Sequence, residues 1–231
     1  MQLSDRLLAV ADMVTPGNRL VDAGCDHGYL PIYLIQQKKI PSAIAMDVRP
    51  GPLSRAKQHI QENGLKAYIE TRLSDGAEAL HQGEGDTLVI AGMGGRILQK
   101  ILREGETVLA DVSEFILQPQ SEIRQVRVFL CDHGYKIIQE DMILEDGKYY
   151  PVIKAIHGFV RHEKEIFYRY GKLLLEQRNE VLYKFLKKEL QSCENIKQQL
   201  LENPTVQTKK RLGEIKKELR YLEEALNYYE M

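Results

Sequence analysis

Residues 20–30 read Leu-Val-Asp-Ala-Gly-Cys-Asp-His-Gly-Tyr-Leu, and no other segment constrains the fold of this chain as strongly. A short apolar run ends in Asp22, Gly24 and Gly28 bracket a tight loop, and an apolar helical stretch follows from Tyr29 to Ile35. Strand, glycine loop and helix in that order form the first unit of a nucleotide-type α/β sheet. Dinucleotide-binding loops carry a third glycine where this chain has Asp26. An acid there opposes a pyrophosphate: two unit charges 4 Å apart at an effective dielectric of about 20 interact by roughly 4 kcal/mol. The same carboxylate attracts a cationic ligand.

The segments downstream repeat the alternation. Strands are expected at Arg19–Ala23, Ala43–Asp47, Tyr68–Leu73, Thr87–Ala91 and Phe115–Gln118, with helices near 29–38, 53–63, 95–104 and 121–133. Leu3, Leu7, Leu8, Ala11 and Val14 mark a preceding helix, capped by Ser4 or Asp5 and stopped at Thr15-Pro16-Gly17-Asn18. β/α alternation predicts a parallel sheet covered on both faces. Tyr135–Asp141 and Tyr149–His157 flank Glu145-Asp146-Gly147-Lys148, a hairpin signal. A parallel sheet finished by an antiparallel hairpin suits a Rossmann-like class I methyltransferase better than a dinucleotide-binding domain.

Near Gly158 the composition changes, giving expected domains 1–158 and 159–231. Leu212, Ile215, Leu219, Leu222, Leu226 and Tyr229 form a heptad seam, and Leu182, Leu186, Leu190, Cys193, Ile196 and Leu200 a looser stripe. Asn203-Pro204-Thr205 separates them. The expectation is two long helices folded back as a coiled-coil hairpin, the first running from about Glu163 to Leu201. Residues 159–231 carry a balance of +3 and residues 1–158 one of −4. The helical part thus reads either as an arm facing phosphates or as a dimerisation pair. Lys187-Lys188, Lys209-Lys210-Arg211 and Lys216-Lys217 fit a solvated helix face as well as a nucleic-acid contact.

At 231 residues with 43% hydrophobic content, the chain can bury a sizeable core. Its net charge of −1 favours no class of partner. Cys25, Cys131 and Cys193 form neither a Cys-x-x-Cys pair nor a Cys/His cluster, so no disulfide framework and no metal is expected, and reduced thiols place the chain in the cytoplasm. The first residues do not read as a signal peptide, no apolar run suits a membrane span, and no obligate protein partner is evident.

Acids recur where strands end. Asp47 closes the second strand 23 residues after Gly24, where an acid accepts both hydroxyls of a ribose. Asp75, in Leu73-Ser74-Asp75-Gly76, is placed to accept from an adenine amino group. Asp before Gly is also ordinary turn chemistry, but Asp22, Asp26, Asp47 and Asp75 fall in register on consecutive βα units. S-adenosylmethionine (SAM), with its sulfonium and ammonium, matches them. The expected cofactor residues are Asp22, Gly24, Cys25, Asp26, His27, Gly28, Asp47, Val48, Asp75, Gly76, Gly92 and Met93, with S-adenosylhomocysteine as product.

The fourth strand ends in Ala91-Gly92-Met93-Gly94-Gly95-Arg96, where amino-group adenine methyltransferases often carry Asn/Asp-Pro-Pro-Tyr/Phe. Small residues there let a substrate approach the methyl group. Arg6, Gly94, Arg96, Pro119 and Gln120 are the candidate substrate contacts, since a glutamine can bond an adenine edge in bidentate fashion. Asp26 is the candidate catalytic residue.

Val21-Asp22-Ala23-Gly24-Cys25-Asp26-His27-Gly28-Tyr29-Leu30, Ile90-Ala91-Gly92-Met93-Gly94-Gly95, Leu117-Gln118-Pro119-Gln120 and Gly147-Lys148-Tyr149-Tyr150 resemble the bacterial tRNA (adenine-22-N1)-methyltransferase family, as does the leading Ser4-Asp5-Arg6-Leu7. The resemblance spans essentially the whole chain. It implies a SAM domain, a C-terminal coiled coil and tRNA as substrate. The tail carries no fixed motif, so no RNA contact transfers to it residue by residue. A methyltransferase of another RNA position or a small molecule, and a SAM-binding scaffold, are the competing readings.

Overall fold

The computed structural model describes residues 2–160, 164–202 and 206–230. The chain divides after residue 161 into two compact units.

In the first unit, Ser4 caps α1 (Asp5–Met13), its Oγ accepting from the Leu7 amide at 3.4 Å. There follow β1 (Leu20–Ala23), α2 (Tyr29–Gln36), β2 (Ala43–Asp47), α3 (Pro50–Glu62) and β3 (Ile69–Leu73). The second half runs β4 (Thr87–Met93), α4 (Gly95–Glu104), β5 (Glu114–Pro119), α5 (Ile123–Asp132), β6 (Tyr135–Glu145) and β7 (Lys148–His157). The seven strands form one sheet of order β3-β2-β1-β4-β5-β7-β6. Strands β1 to β5 pair in parallel, and β7 pairs antiparallel with both β5 and β6. Asp146 and Gly147 both take positive φ, 49° and 74°, as a two-residue type I′ turn requires. Helix α3 begins at Pro50, earlier than its apolar spacing suggests, because proline at the first helical position is pre-set for the helix.

The central strands β1 and β2 are buried throughout, as in any parallel sheet covered on both faces. Alternate residues sort into two layers. Val21, Leu88, Ile90, Phe115 and Leu117 pack with Leu98, Leu102 and Leu130 of α4 and α5. Leu20, Val89 and Ile116 pack with Val10, Leu34 and Ile60 of α1, α2 and α3. At the amino ends of β4 and β5, buried Glu114 accepts from the Thr15 amide (2.9 Å), Thr15 Oγ1 (2.6 Å), Thr87 Oγ1 (2.7 Å) and Lys154 Nζ (2.7 Å). This knot fastens the end of α1 to the foot of the sheet.

The second unit corrects the expected long first helix. It is three segments, α6 (Glu165–Tyr170), α7 (Lys172–Glu176) and α8 (Glu180–Glu202), and its expected start at Glu163 lies outside the described residues. Gly171 takes φ 91° and Arg178 φ 53°, and neither angle is helical. Asn179 then restarts the helix, its Oδ1 accepting from the amides of Val181 (3.0 Å) and Leu182 (2.9 Å). The break expected at Asn203-Pro204-Thr205 also lies outside the described residues. Helix α9 (Val206–Glu230) returns antiparallel to α8: Tyr229 near its end donates to the Asn179 carbonyl at 2.9 Å and packs on Tyr183. Leu182 and Leu186 of α8 and Ile215, Leu219, Leu222 and Leu226 of α9 are buried.

Candidate active site

The sheet reverses its strand order between β1 and β4, the place where open α/β sheets bind ligands. A cleft of about 650 Å³ opens there. Its floor is the loop after β1. The amides of Gly24 and Cys25 both donate to the Met46 carbonyl, at 2.8 and 2.9 Å, and that of Gly28 to the Cys25 carbonyl at 2.7 Å. Gly24 takes φ 90°, and a Cβ there would lie 2.2 Å from Met93 Cε. Glycine at this point serves both the turn and the close approach of β4.

Asp22 and Asp47 lie side by side at the strand ends, 4% and 5% exposed. Asp47 accepts from the Arg49 amide at 2.8 Å. Asp22 has no hydrogen bond and no cation among the described residues. Burial, and then the neighbouring Asp47 charge, push its carboxyl up to about 7. The unmatched buried acid of the loop is therefore Asp22. Asp26 is exposed at the cleft mouth, its carboxylate 3.6 Å from both Arg55 and His27 Nε2. It adopts φ 43°, a left-handed conformation that Asp tolerates better than most residues. Burial, followed by Asp22 and Asp47, also raises the Cys25 thiol, so Cys25 lines the site as an inert apolar group.

His27, Tyr29 and His59 stack with ring centroids 5.2 to 5.7 Å apart, and His59 Nδ1 donates to the His27 carbonyl at 3.0 Å. His27 Nδ1 is buried without a partner among the described residues. Past β3, Asp75 accepts from Lys100 Nζ at 2.7 Å. The apolar Val48 and Ile97 line the cleft while staying more than half exposed.

The opposite wall is built around Gln118. Fully buried on β5, its Oε1 accepts from Arg6 Nη1 at 2.8 Å and from the Gly92 amide at 3.0 Å. Arg6 also meets Glu145, its amide donating at 3.1 Å, and lies over the Tyr150 ring. The start of α1, the fourth and fifth strand ends and the hairpin are thus joined through one guanidinium. Gly92, at φ 79°, leaves an open face rimmed by Arg6 and Gln120. Gly95 serves packing instead, since a Cβ there would meet the Ser121 carbonyl at 2.6 Å.

The cleft gathers Asp22, Gly24, Cys25, Asp26, His27, Asp47, Val48, Asp75, Gly76, Gly92 and Met93, together with Arg6 and Gln120. Four expected residues do not line it. Gly28 caps α2 at φ 71° against Ala56. Gly94 caps α4, Pro119 is buried in β5, and Arg96 is exposed and paired with Glu122 at 2.7 Å. Sequence reasoning missed the lining by Gln2, Leu3, Ser4 and Leu7, and the buried hub at Gln118. The only signal for that end of the chain was Ser4-Asp5-Arg6-Leu7, a motif without a spatial partner in sequence.

A sheet of order 3-2-1-4-5-7-6 with an acid-floored cleft at its switch point defines a class I SAM-dependent methyltransferase. The model of the tRNA (adenine(22)-N(1))-methyltransferase family matches residues 20–224, and the chain belongs to that family. It is 33% identical to the Bacillus subtilis tRNA (adenine(22)-N(1))-methyltransferase over 99% of this chain and 98% of the relative. The crystal structure of the B. subtilis m1A22 tRNA methyltransferase TrmK superposes with a TM-score of 0.86 at 33% identity, covering 97% of this chain and 99% of that one. M. capricolum TrmK, solved with the cofactor product S-adenosyl-homocysteine, gives 0.85 at 27% identity and 99% of both chains.

Proposed function

We infer that this chain transfers the methyl group of SAM to N1 of adenine 22 in tRNA. The observation that carries the reading is Asp22: a buried carboxylate with no cation, on the floor of a glycine-lined cleft, suits a cationic cofactor. Bound there, SAM supplies an electrophilic methyl group. Asp22 holds its amino-acid end, Asp47 accepts from the ribose hydroxyls, and Asp75 accepts from the adenine amine. Val48 and Ile97 offer apolar surface to the adenine ring.

N1 of adenine has an in-plane lone pair, so no base is needed before attack. The protein's task is alignment and exclusion of water, worth several kcal/mol. The target base must leave its stack to enter the cleft. The open face of Gly92 gives it room, and Gln120 is placed to take its Hoogsteen edge, leaving N1 toward the methyl group. Methylation makes the base cationic. Asp26 at the mouth stabilises that charge as it develops, while Arg6 positions the Gly92 turn through Gln118. The helical unit, residues 162–231, holds the tRNA body. Reduced cysteines fit a cytoplasmic setting.

The test is methyl transfer to an unmodified tRNA transcript, with the modified nucleotide mapped. Methylation at adenine 22, lost when that base is guanine, is the expected result. Methylation elsewhere contradicts the reading. For Asp26→Asn, a large fall in turnover at saturating SAM with affinity retained is expected. Collapsed affinity with turnover intact would make Asp26 a cofactor ligand instead.

A further inference from the structure

The end of β4 departs from regular strand geometry. Up to Ala91 its side chains alternate between the two layers: Leu88 and Ile90 pack on the side of α4 and α5, Val89 and Ala91 on the side of α1, α2 and α3. Strict alternation would send residue 92 to the first side and Met93 to the second. Instead Ala91 pairs with Gln118 and Met93 with the next residue, Pro119, so Gly92 is an extra residue on β4. This is a β-bulge, rare in a parallel pair, and it uses the positive φ of Gly92, 79°. Its effect is to turn Met93 to the Ile90 side, against the layer of α4 and α5.

Met93 then meets the loop after β1. Its Cε fills the place that a Gly24 Cβ would take, while its Sδ stays 3.9 Å from that point. An unbranched thioether suits such a reach. An inserted residue, a positive-φ glycine and a missing Cβ on the facing loop thus serve one half-buried side chain that lines the cleft. Filling the core requires none of the three, since an apolar residue at position 92 of an unbulged strand would reach the same layer. The placement has a consequence for the cleft. Met93 adjoins Gly92, whose open face is rimmed by Arg6 and Gln120, and its tip lies on Gly24, two residues beyond Asp22. It stands between the acid-floored part of the cleft and the face left open to a target base.

We propose that Met93 sets the size of the alkyl group this chain transfers, admitting methyl and excluding larger groups. The proposal rests on the reading of the cleft as a SAM site. In the transfer, N1 of adenine bonds to the alkyl carbon as the carbon–sulfur bond breaks. The electron pair of that bond stays on sulfur, which becomes a neutral thioether, and the base takes the positive charge. The balance is the same for ethyl, and the slower intrinsic chemistry of ethyl cancels when variants are compared. One methylene in an apolar pocket is worth roughly 10- to 200-fold in discrimination.

The test uses the full chain and two probes, SAM and S-adenosyl-L-ethionine, whose sulfonium carries ethyl in place of methyl. In calorimetry without RNA, the parent is expected to bind the ethyl probe at least about tenfold more weakly than SAM. In Met93→Ala the gap should close to within about threefold, with SAM affinity itself changed by less than that. Met93→Leu, close in volume, should keep the parent's gap. In transfer to an unmodified tRNA transcript, the ethyl-to-methyl rate ratio of Met93→Ala should exceed the parent's by about tenfold or more, with Met93→Leu matching the parent. Lost packing alone lowers the melting temperature without moving either ratio. Should Met93→Ala fail to fold, Met93→Val supplies the same two ratios. A parent that binds both probes equally, or a folded small-residue variant with both ratios unchanged, overturns the proposal and leaves Met93 a packing residue. Closure of the binding gap without any methyl transfer to tRNA by the parent contradicts the tRNA reading instead and keeps the role of Met93.

Discussion

The two ends of the central sheet each bury a carboxylate, and the two are treated in opposite ways. At the amino end, burial alone would raise Glu114, but hydrogen bonds from Lys154, Thr15 and Thr87 outweigh it and hold the carboxyl below its ordinary range. At the other end, burial and Asp47 raise Asp22 to about 7, with nothing to offset them. A scaffold satisfies its buried charges, whereas a binding site leaves one for its ligand. The pH signs follow. Glu114 contributes stability above its unfolded value near 4.3 and loses it as acid drives pH down through its lower folded value. Asp22 favours the unliganded fold below its unfolded value of about 3.9 and loses that contribution as pH rises toward 7.

Breaking the foot should have the largest effect on the fold. Glu114→Ala leaves Lys154 buried without its partner and is expected to cost about 3–5 kcal/mol in chemical denaturation. SAM affinity of the folded fraction should stay within threefold. Asp22→Asn reverses the pattern. At pH 8 the unliganded protein should be at least as stable as the parent, while calorimetry should show SAM bound about 2–4 kcal/mol more weakly. If Asp22→Asn destabilises like Glu114→Ala, the contrast between the ends is wrong.

Much of this contrast was legible in the chain. Five strands, the hairpin and the acids at the strand ends follow from apolar runs and glycine punctuation, because these features are local. The Arg6–Gln118–Gly92 link is not local: its residues are 112 and 26 apart, and only the docking of α1 brings them together. Gly94-Gly95 looked like a substrate approach because small residues are silent about purpose, and the structure assigns Gly95 to packing against Ser121. The helix from Glu163 appeared continuous because its leucines keep helical spacing across Gly171 and Arg178. One glycine and one left-handed arginine are weak stop signals.

Smaller changes sharpen the boundary between the site and its support. Gly95→Ala forces a methyl group against the Ser121 backbone and should cost about 1–3 kcal/mol in thermal or chemical denaturation. Lys100→Ala removes an exposed partner of Asp75 and should leave the melting temperature unchanged, with SAM affinity shifted less than threefold. A tenfold loss of affinity would make Lys100 part of the adenine site.

Asp22 stays largely protonated below about pH 7 until a cationic cofactor ionises it. The direct measurement is titration calorimetry of SAM at about pH 6 in two buffers of different ionisation enthalpy. Release of about one proton per SAM bound is expected, absent in Asp22→Asn, with an affinity rising roughly fivefold from about pH 6 to 7. No proton release, with an affinity flat from about pH 6 to 7, would contradict it.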